Sequence, residues 1–314
     1  MNIVTILFLY ISVFWFIWKY AYTEGPEKIV HLILRAMMLI LIASYSWILI
    51  GPSAAFSGGR FQGIFQNPNS IGLICAILLP LSLWHLLETK KKSALLLFIL
   101  MLLSLFLSGS RGSLQAALVS LGYFIYVRKK KDRPLVFFSF TSAILILFWA
   151  IETWMKTHFM SYIRSESIPE LGGRLGLWRA ALDLIMQRPF FGYGFGVENK
   201  MVLTSALFRI KGHLSYVHNS YLGMLIQLGV VGLIIFYLPL FILLFKELSH
   251  KQRSDVFPLR LALRGSLMAG LICCFYESWI YSVGNSQTFP FWVTVMLLLF
   301  CRQQDKAKIS LEGT

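Results

Sequence analysis

Long apolar runs separated by short polar clusters fill nearly the whole chain. A helix of about 20 such residues crosses the roughly 30 Å of hydrocarbon in a bilayer. A segment in lipid must satisfy its own backbone groups, so each run is predicted to be helical. Nine are read, over residues 3–18, 29–50, 69–87, 93–108, 112–127, 134–151, 219–245, 261–281 and 289–301. The fourth, fifth and ninth are short for a full crossing. Between the sixth and seventh lies one long loop, 152–217. Within it "GGRLGLWRAALDLIMQRP" (172–189) sets Leu175, Trp178, Leu182, Ile185 and Met186 on one helical stripe that opens after a glycine pair and stops before Pro189. This predicts an amphipathic helix, for the membrane surface or for packing on the bundle. With no internal repeat and no low-complexity linker, residues 1–314 are read as a single integral membrane domain.

Composition fixes the solvent. Hydrophobic residues make up 57% of the chain and charged ones only 14%, against about 25% charged in soluble domains. The net charge of +15 does not point to nucleic acid, because the basic residues stand in short clusters between apolar runs rather than on one soluble face. "ETKKK" (88–92), "RKKKDR" (128–133), "KELSHKQRSDVFPLR" (246–260) and "RQQDKAK" (302–308) all fall on one side if nine helices alternate. That side is cytoplasmic by the positive-inside rule, with the N-terminus out, the C-terminus in and loop 152–217 extracytoplasmic. The expected location is a cell membrane, multi-pass, with these clusters on its cytoplasmic side. The first basic residue, Lys19, follows the first apolar run, which argues against a cleaved signal peptide. Cys75, Cys273, Cys274 and Cys301 lie in or at apolar runs without metal-ligand spacing and are read as packing residues.

Several polar residues on the outer side need explanation. Arg111, in "LSGSRGSLQ" (107–115), sits where two apolar segments meet; it is either a paired functional cation or an arginine reaching the headgroups. Arg174 opens the amphipathic helix, where a cation is locally unfavourable but could join the helix N–H groups in binding an anion; the alternative is a solvated loop residue. His218 precedes the seventh run, and a single histidine there can be a catalytic base or be satisfied by local hydrogen bonds, as can His213. The two lack the spacing of a zinc pair, and Glu152, Glu166, Glu170, Asp183 and Glu198 are scattered, so no metal and no cofactor is expected. "FFGYGFG" (190–196) follows no strand and precedes no Lys-Ser/Thr, so it is read as a turn that brings backbone close to a neighbour rather than as a phosphate loop.

Four motifs occur in order: "GIFQNPNSIGLICAI" (63–77), "LSGSRGSL" (107–114), "GGRLGLWRAALDLIMQRPFFGYGFG" (172–196) and "HNSYLGMLIQLGVVGLIIF" (218–236). With the long loop between the second and the fourth, the chain resembles the O-antigen ligase and Wzy-type polymerase superfamily of bacterial membrane glycosyltransferases, over residues 60–301. The resemblance implies an all-α polytopic membrane fold, GT-C-like, with about nine transmembrane helices. It implies transfer of a glycan from an undecaprenyl-diphosphate carrier to an acceptor hydroxyl at the outer face, so that the partners are the lipid-linked glycan, its acceptor and membrane lipids. Arg111 and Arg174 are then the diphosphate binders and His218 the catalytic general base, with Asn219 and His213 as supporting candidates. These roles suit the residue types: guanidinium forks grip diphosphate, and a neutral imidazole accepts a hydroxyl proton. Only two helices precede the first motif, where the family has several more. No residue matches the acidic position that some members use in a later outer segment, and Glu277, near the outer end of the eighth run, is a candidate polar partner. Three functions stay open: ligation of a finished glycan, polymerisation of repeat units, and non-catalytic polysaccharide or lipid transport.

Overall fold

The computed structural model describes residues 3–128, 169–198, 217–249, 257–282 and 285–312. Its helices are α1 (Ile3–Glu24), α2 (Pro26–Ile50), α3 (Pro52–Ala55), α4 (Pro68–Thr89), α5 (Lys92–Leu107), α6 (Arg111–Arg128), α7 (Pro169–Gln187), α8 (Ser220–Leu248), α9 (Phe257–Cys273) and α10 (Thr288–Glu312). One hairpin, β1 (Phe56–Ser57) with β2 (Arg60–Phe61), turns through Gly58 and Gly59, both at positive φ as a tight hairpin turn requires. Eight of the nine predicted runs fall on these helices, and the run at 134–151 lies outside the described residues. Among the described residues α2, α4 and α8 are long and apolar enough to cross a membrane, which identifies a helical membrane protein.

The chain forms two compact units. The first comprises Met1–Lys131, Leu244–Cys273 and Ser282–Thr314. Its centre is α4, buried without a break from Ser70 to Ser82 and packed by α5, α6 and α9. Gly265 of α9 permits the close crossing, since a β-carbon there would stand 3.1 Å from Pro80 and 3.3 Å from the Ser120 carbonyl. The NPN sequence is a helix start: Asn67 caps α4 by accepting from the Asn69 N–H at 2.8 Å, and Pro68 takes the first turn, where no N–H is needed. Asn69 in turn accepts from the Arg60 guanidinium, whose Nε donates to the Ser108 carbonyl at 2.7 Å. Gly72 lies against the same serine turn, where a β-carbon would meet Ser108 Oγ at 2.7 Å. The first two motifs are therefore one packed assembly, with Arg111 as the half-buried first residue of α6. At another point of this unit Arg260 grips Glu247 through two 2.7 Å bonds and also bonds Asp305, while Arg264 donates to Glu247 at 3.0 Å. Such a buried cluster persists because every charge is paired.

The second unit comprises Asp132–Leu243 and Cys274–Tyr281. Here α7 buries Leu177, Ala181 and Ile185 against Val217 and Ile226, with Trp178 and Tyr193 at the edge. The predicted stripe is displaced by about one residue's rotation: Leu182 and Met186 are 50% and 78% exposed. Small Ala180 and Ala181 face inward beside Leu177, Leu184 and Ile185, while Leu182 and Met186 are left outside. The helix also begins earlier than the glycine pair, at Pro169. A second correction concerns the eighth run: α9 ends at Cys273, and residues 274–281 leave the helix as turns. Their backbone instead bonds Ser220, through the Cys274 and Glu277 carbonyls and the Trp279 N–H.

Candidate functional site

The site grows from a break in α8. At Gly229 the backbone adopts φ 64°, ψ −164° inside the helix, which exposes carbonyls and N–H groups that would otherwise pair along the axis. The loop after α7 satisfies them: Tyr193 and Gly194 N–H donate to the carbonyls of Ile226 and Gln227 at 2.9 and 2.8 Å, and Val230 N–H donates to Pro189 at 2.8 Å. Glycine is required for this approach, because a β-carbon on Gly192, at φ 62°, would lie 2.5 Å from the Ile226 oxygen. The glycine-rich stretch thus works as a backbone-to-backbone turn.

At its start, α8 is capped by Asn219, whose Oδ1 accepts from the N–H groups of Tyr221 and Leu222 at 3.0 and 3.1 Å. The residue before the cap, His218, sits at φ 51°, a left-handed conformation uncommon for any side chain but glycine. It is held there by residues 274–281. Ser220 N–H donates to the Cys274 carbonyl at 2.7 Å, Ser220 Oγ to the Glu277 carbonyl at 2.6 Å, and Trp279 N–H returns to Ser220 Oγ at 3.0 Å. Asn219 N–H donates to Ser278 Oγ at 3.2 Å.

This pairing sets His218 beside Glu277, with Nδ1 to Oε2 at 3.0 Å and side chains 23% and 16% exposed. An ionised carboxylate only accepts, so Nδ1 of the imidazole is the donor, and in the neutral ring it is Nε2 that carries the lone pair. A histidine oriented by a carboxylate in this way can accept a proton at its other ring nitrogen.

Glu198 lies beneath, 4% exposed. Its Oε1 accepts from Val217 N–H at 3.1 Å and Ser278 Oγ at 2.9 Å, and its Oε2 from the Tyr281 hydroxyl at 2.7 Å and Gln227 Nε2 at 3.4 Å. Burial first, and then the charge of Glu198, hold the Tyr281 phenol well above its ordinary value, so it stays a donor.

Of the residues proposed from sequence, His218 and Asn219 stand together here, Asn219 as the helix cap. Arg174 is in α7, one turn before Trp178, whose indole donates to the Val217 carbonyl at 3.1 Å; the Arg174 side chain lies outside what is described. His213 lies outside the described residues, and Arg111 belongs to the first unit. Glu277 carried a usable signal, being the lone carboxylate between Asp255 and Asp305 in an otherwise apolar stretch. Glu198 carried none beyond its place after the glycine turn.

Residues 96–237 match the family model described as O-Antigen ligase, which takes in three of the four motifs and bears out the resemblance they carry. Particular relatives follow. A protein of Rickettsia felis, provisionally named a polysaccharide ligase, is 29% identical over 47% of this chain and 38% of its own length. The ComP-specific O-oligosaccharyltransferase of Acinetobacter baylyi is 28% identical over 63% of this chain and 38% of its own. A second provisionally named polysaccharide ligase, from Rickettsia conorii, is 26% identical over 63% of this chain and 52% of its own. The chain thus spans between 38% and 52% of the length of these relatives.

Proposed function

We propose that the protein is a membrane glycosyltransferase of the O-antigen ligase type. It transfers a glycan from an undecaprenyl-diphosphate carrier to an acceptor hydroxyl on the outer face of the cytoplasmic membrane. The observation that supports this reading most is the His218–Glu277 pair at 3.0 Å, together with the names of the relatives. In the proposed reaction Nε2 of His218 takes the acceptor's hydroxyl proton as its oxygen bonds to the sugar C1, and the C1–phosphate bond breaks with the electron pair leaving on undecaprenyl diphosphate. Glu277 stabilises the imidazolium that forms. Arg111 and Arg174 hold the diphosphate and take up the charge that develops on it. This reading carries with it the nine-helix, GT-C-like arrangement with loop 152–217 outside.

The test is His218→Ala in native membranes supplied with an undecaprenyl-diphosphate-linked oligosaccharide. Release of undecaprenyl diphosphate should cease while binding of the donor persists, because the arginines still hold its phosphates. An active His218→Ala protein at normal abundance would overturn the proposal.

A further inference from the structure

The proposed chemistry uses His218 and Glu277 and gives Glu198 nothing to do. Yet Glu198 is buried, and a buried carboxylate is costly unless its lone pairs are filled. The polarity around it can be traced outward. Ser278 Oγ accepts from Asn219 N–H at 3.2 Å, so its own proton points to Glu198 Oε1 at 2.9 Å. The Gln227 side-chain Oε1 accepts from Gly196 N–H at 2.6 Å, which turns Gln227 Nε2 toward Glu198 Oε2 at 3.4 Å and the Gly223 carbonyl at 3.2 Å. Val217 N–H and the Tyr281 hydroxyl complete a shell made entirely of donors. A neutral amide in place of the carboxylate would set its own N–H groups against some of them.

The two donors on Oε1 come from the residue before His218 and the residue after Glu277. Taking His218 and Glu277 as base and partner, we infer that Glu198 is the positioning residue of this site: an anionic clamp whose Oε1 binds both flanking segments and thereby sets the His218–Glu277 register. The left-handed backbone at His218 gives such a clamp a task beside the bonds from residues 274–281, since a residue in that region relaxes unless its surroundings over-determine it. Gly223 keeps the clamp in place; a β-carbon there would fall 2.7 Å from Glu198 Oε2.

The experiment compares wild type, Glu198→Gln, Ser278→Ala, Glu277→Gln and the Glu198→Gln/Glu277→Gln double variant. It reads release of undecaprenyl diphosphate per folded molecule from an undecaprenyl-diphosphate-linked oligosaccharide. Glu198→Gln should lower kcat on the order of tenfold to 100-fold, the scale of a misplaced reacting group, with KM for the donor changed by less than about twofold. In the Glu277→Gln background it should cost little more, because register no longer matters once the partner is gone. Where Glu198→Gln yields no folded protein, Ser278→Ala, which removes one Oε1 donor, is expected to show the same split of kcat from KM. Wild-type kcat per folded molecule, or a loss that simply adds to that of Glu277→Gln, would overturn the clamp. Such a result beside an inactive His218→Ala would sink the clamp alone, whereas an active His218→Ala would sink the proposed function.

Discussion

Trp178 donates its indole N–H to the carbonyl of Val217 at 3.1 Å, so helix α7 is fastened to the residue that precedes His218. Arg174 stands one turn earlier on that helix. The tie links an arginine assigned to the donor with a histidine assigned to the acceptor, and within one unit it makes their separation a property of a single hydrogen bond and the packing around it. Trp178→Phe keeps the ring in the cluster of Leu177, Ala181 and Ile185 and removes only the N–H. Turnover should fall about fivefold, the equivalent of about 1 kcal/mol for one hydrogen bond. Unchanged turnover of the purified variant would show that the tie does not serve the site.

The diphosphate assignment makes Arg111 and Arg174 sensitive to a change that preserves charge. An ammonium cannot reproduce the bidentate fork of a guanidinium, so Arg111→Lys and Arg174→Lys should each reduce transfer on the order of tenfold to 100-fold, as loss of hydrogen bonds to a charged group would. Steady-state rates at matched membrane abundance decide the matter. Wild-type transfer by both lysine variants would return the two arginines to topology or surface roles.

Gly223 offers a test of the fold around the site that removes no polar group. A β-carbon there would lie 1.9 Å from the Tyr281 hydroxyl, which must move and give up its bond to Glu198. Gly223→Ala should destabilise by about 1–3 kcal/mol, the usual cost of overpacking, and lower the midpoint of thermal unfolding in detergent. A variant that melts with wild type would contradict the close approach of α8 to residues 274–281.

What could be read in advance follows from the range of each interaction. The helices were legible because hydropathy is a local property, and so was the start of α8, where the Asn219 cap and its targets Tyr221 and Leu222 are within three residues. The partner of His218 was only a candidate, because Glu277 is 59 residues away and reaches it by breaking the helix that the apolar run 261–281 predicted. Glu198 stands in the sequence as one of several scattered carboxylates, since its donors at 217, 227, 278 and 281 share no spacing that a sequence displays. The buried face of α7 departs from the apolar stripe because it includes Ala180 and Ala181, which a pattern of large apolar residues passes over, and turns Leu182 and Met186 outward.

The division of labour between arginine and imidazole also sets an expectation for metal removal. A divalent ion would neutralise the leaving diphosphate by bridging its oxygens, and its loss would stop turnover outright. If guanidinium groups carry that charge, the positive charge is covalently part of the protein and no chelator can remove it. Purified protein should therefore release undecaprenyl diphosphate at the same rate before and after EDTA treatment, while Arg111→Lys and Arg174→Lys remain impaired in both conditions. The two results must be read together, because survival in EDTA with normal lysine variants would leave the leaving group's charge without a carrier. Loss of activity in EDTA, restored by added magnesium or manganese, would overturn the arginine assignment and call for a metal site to be sought with ligands beyond the described residues.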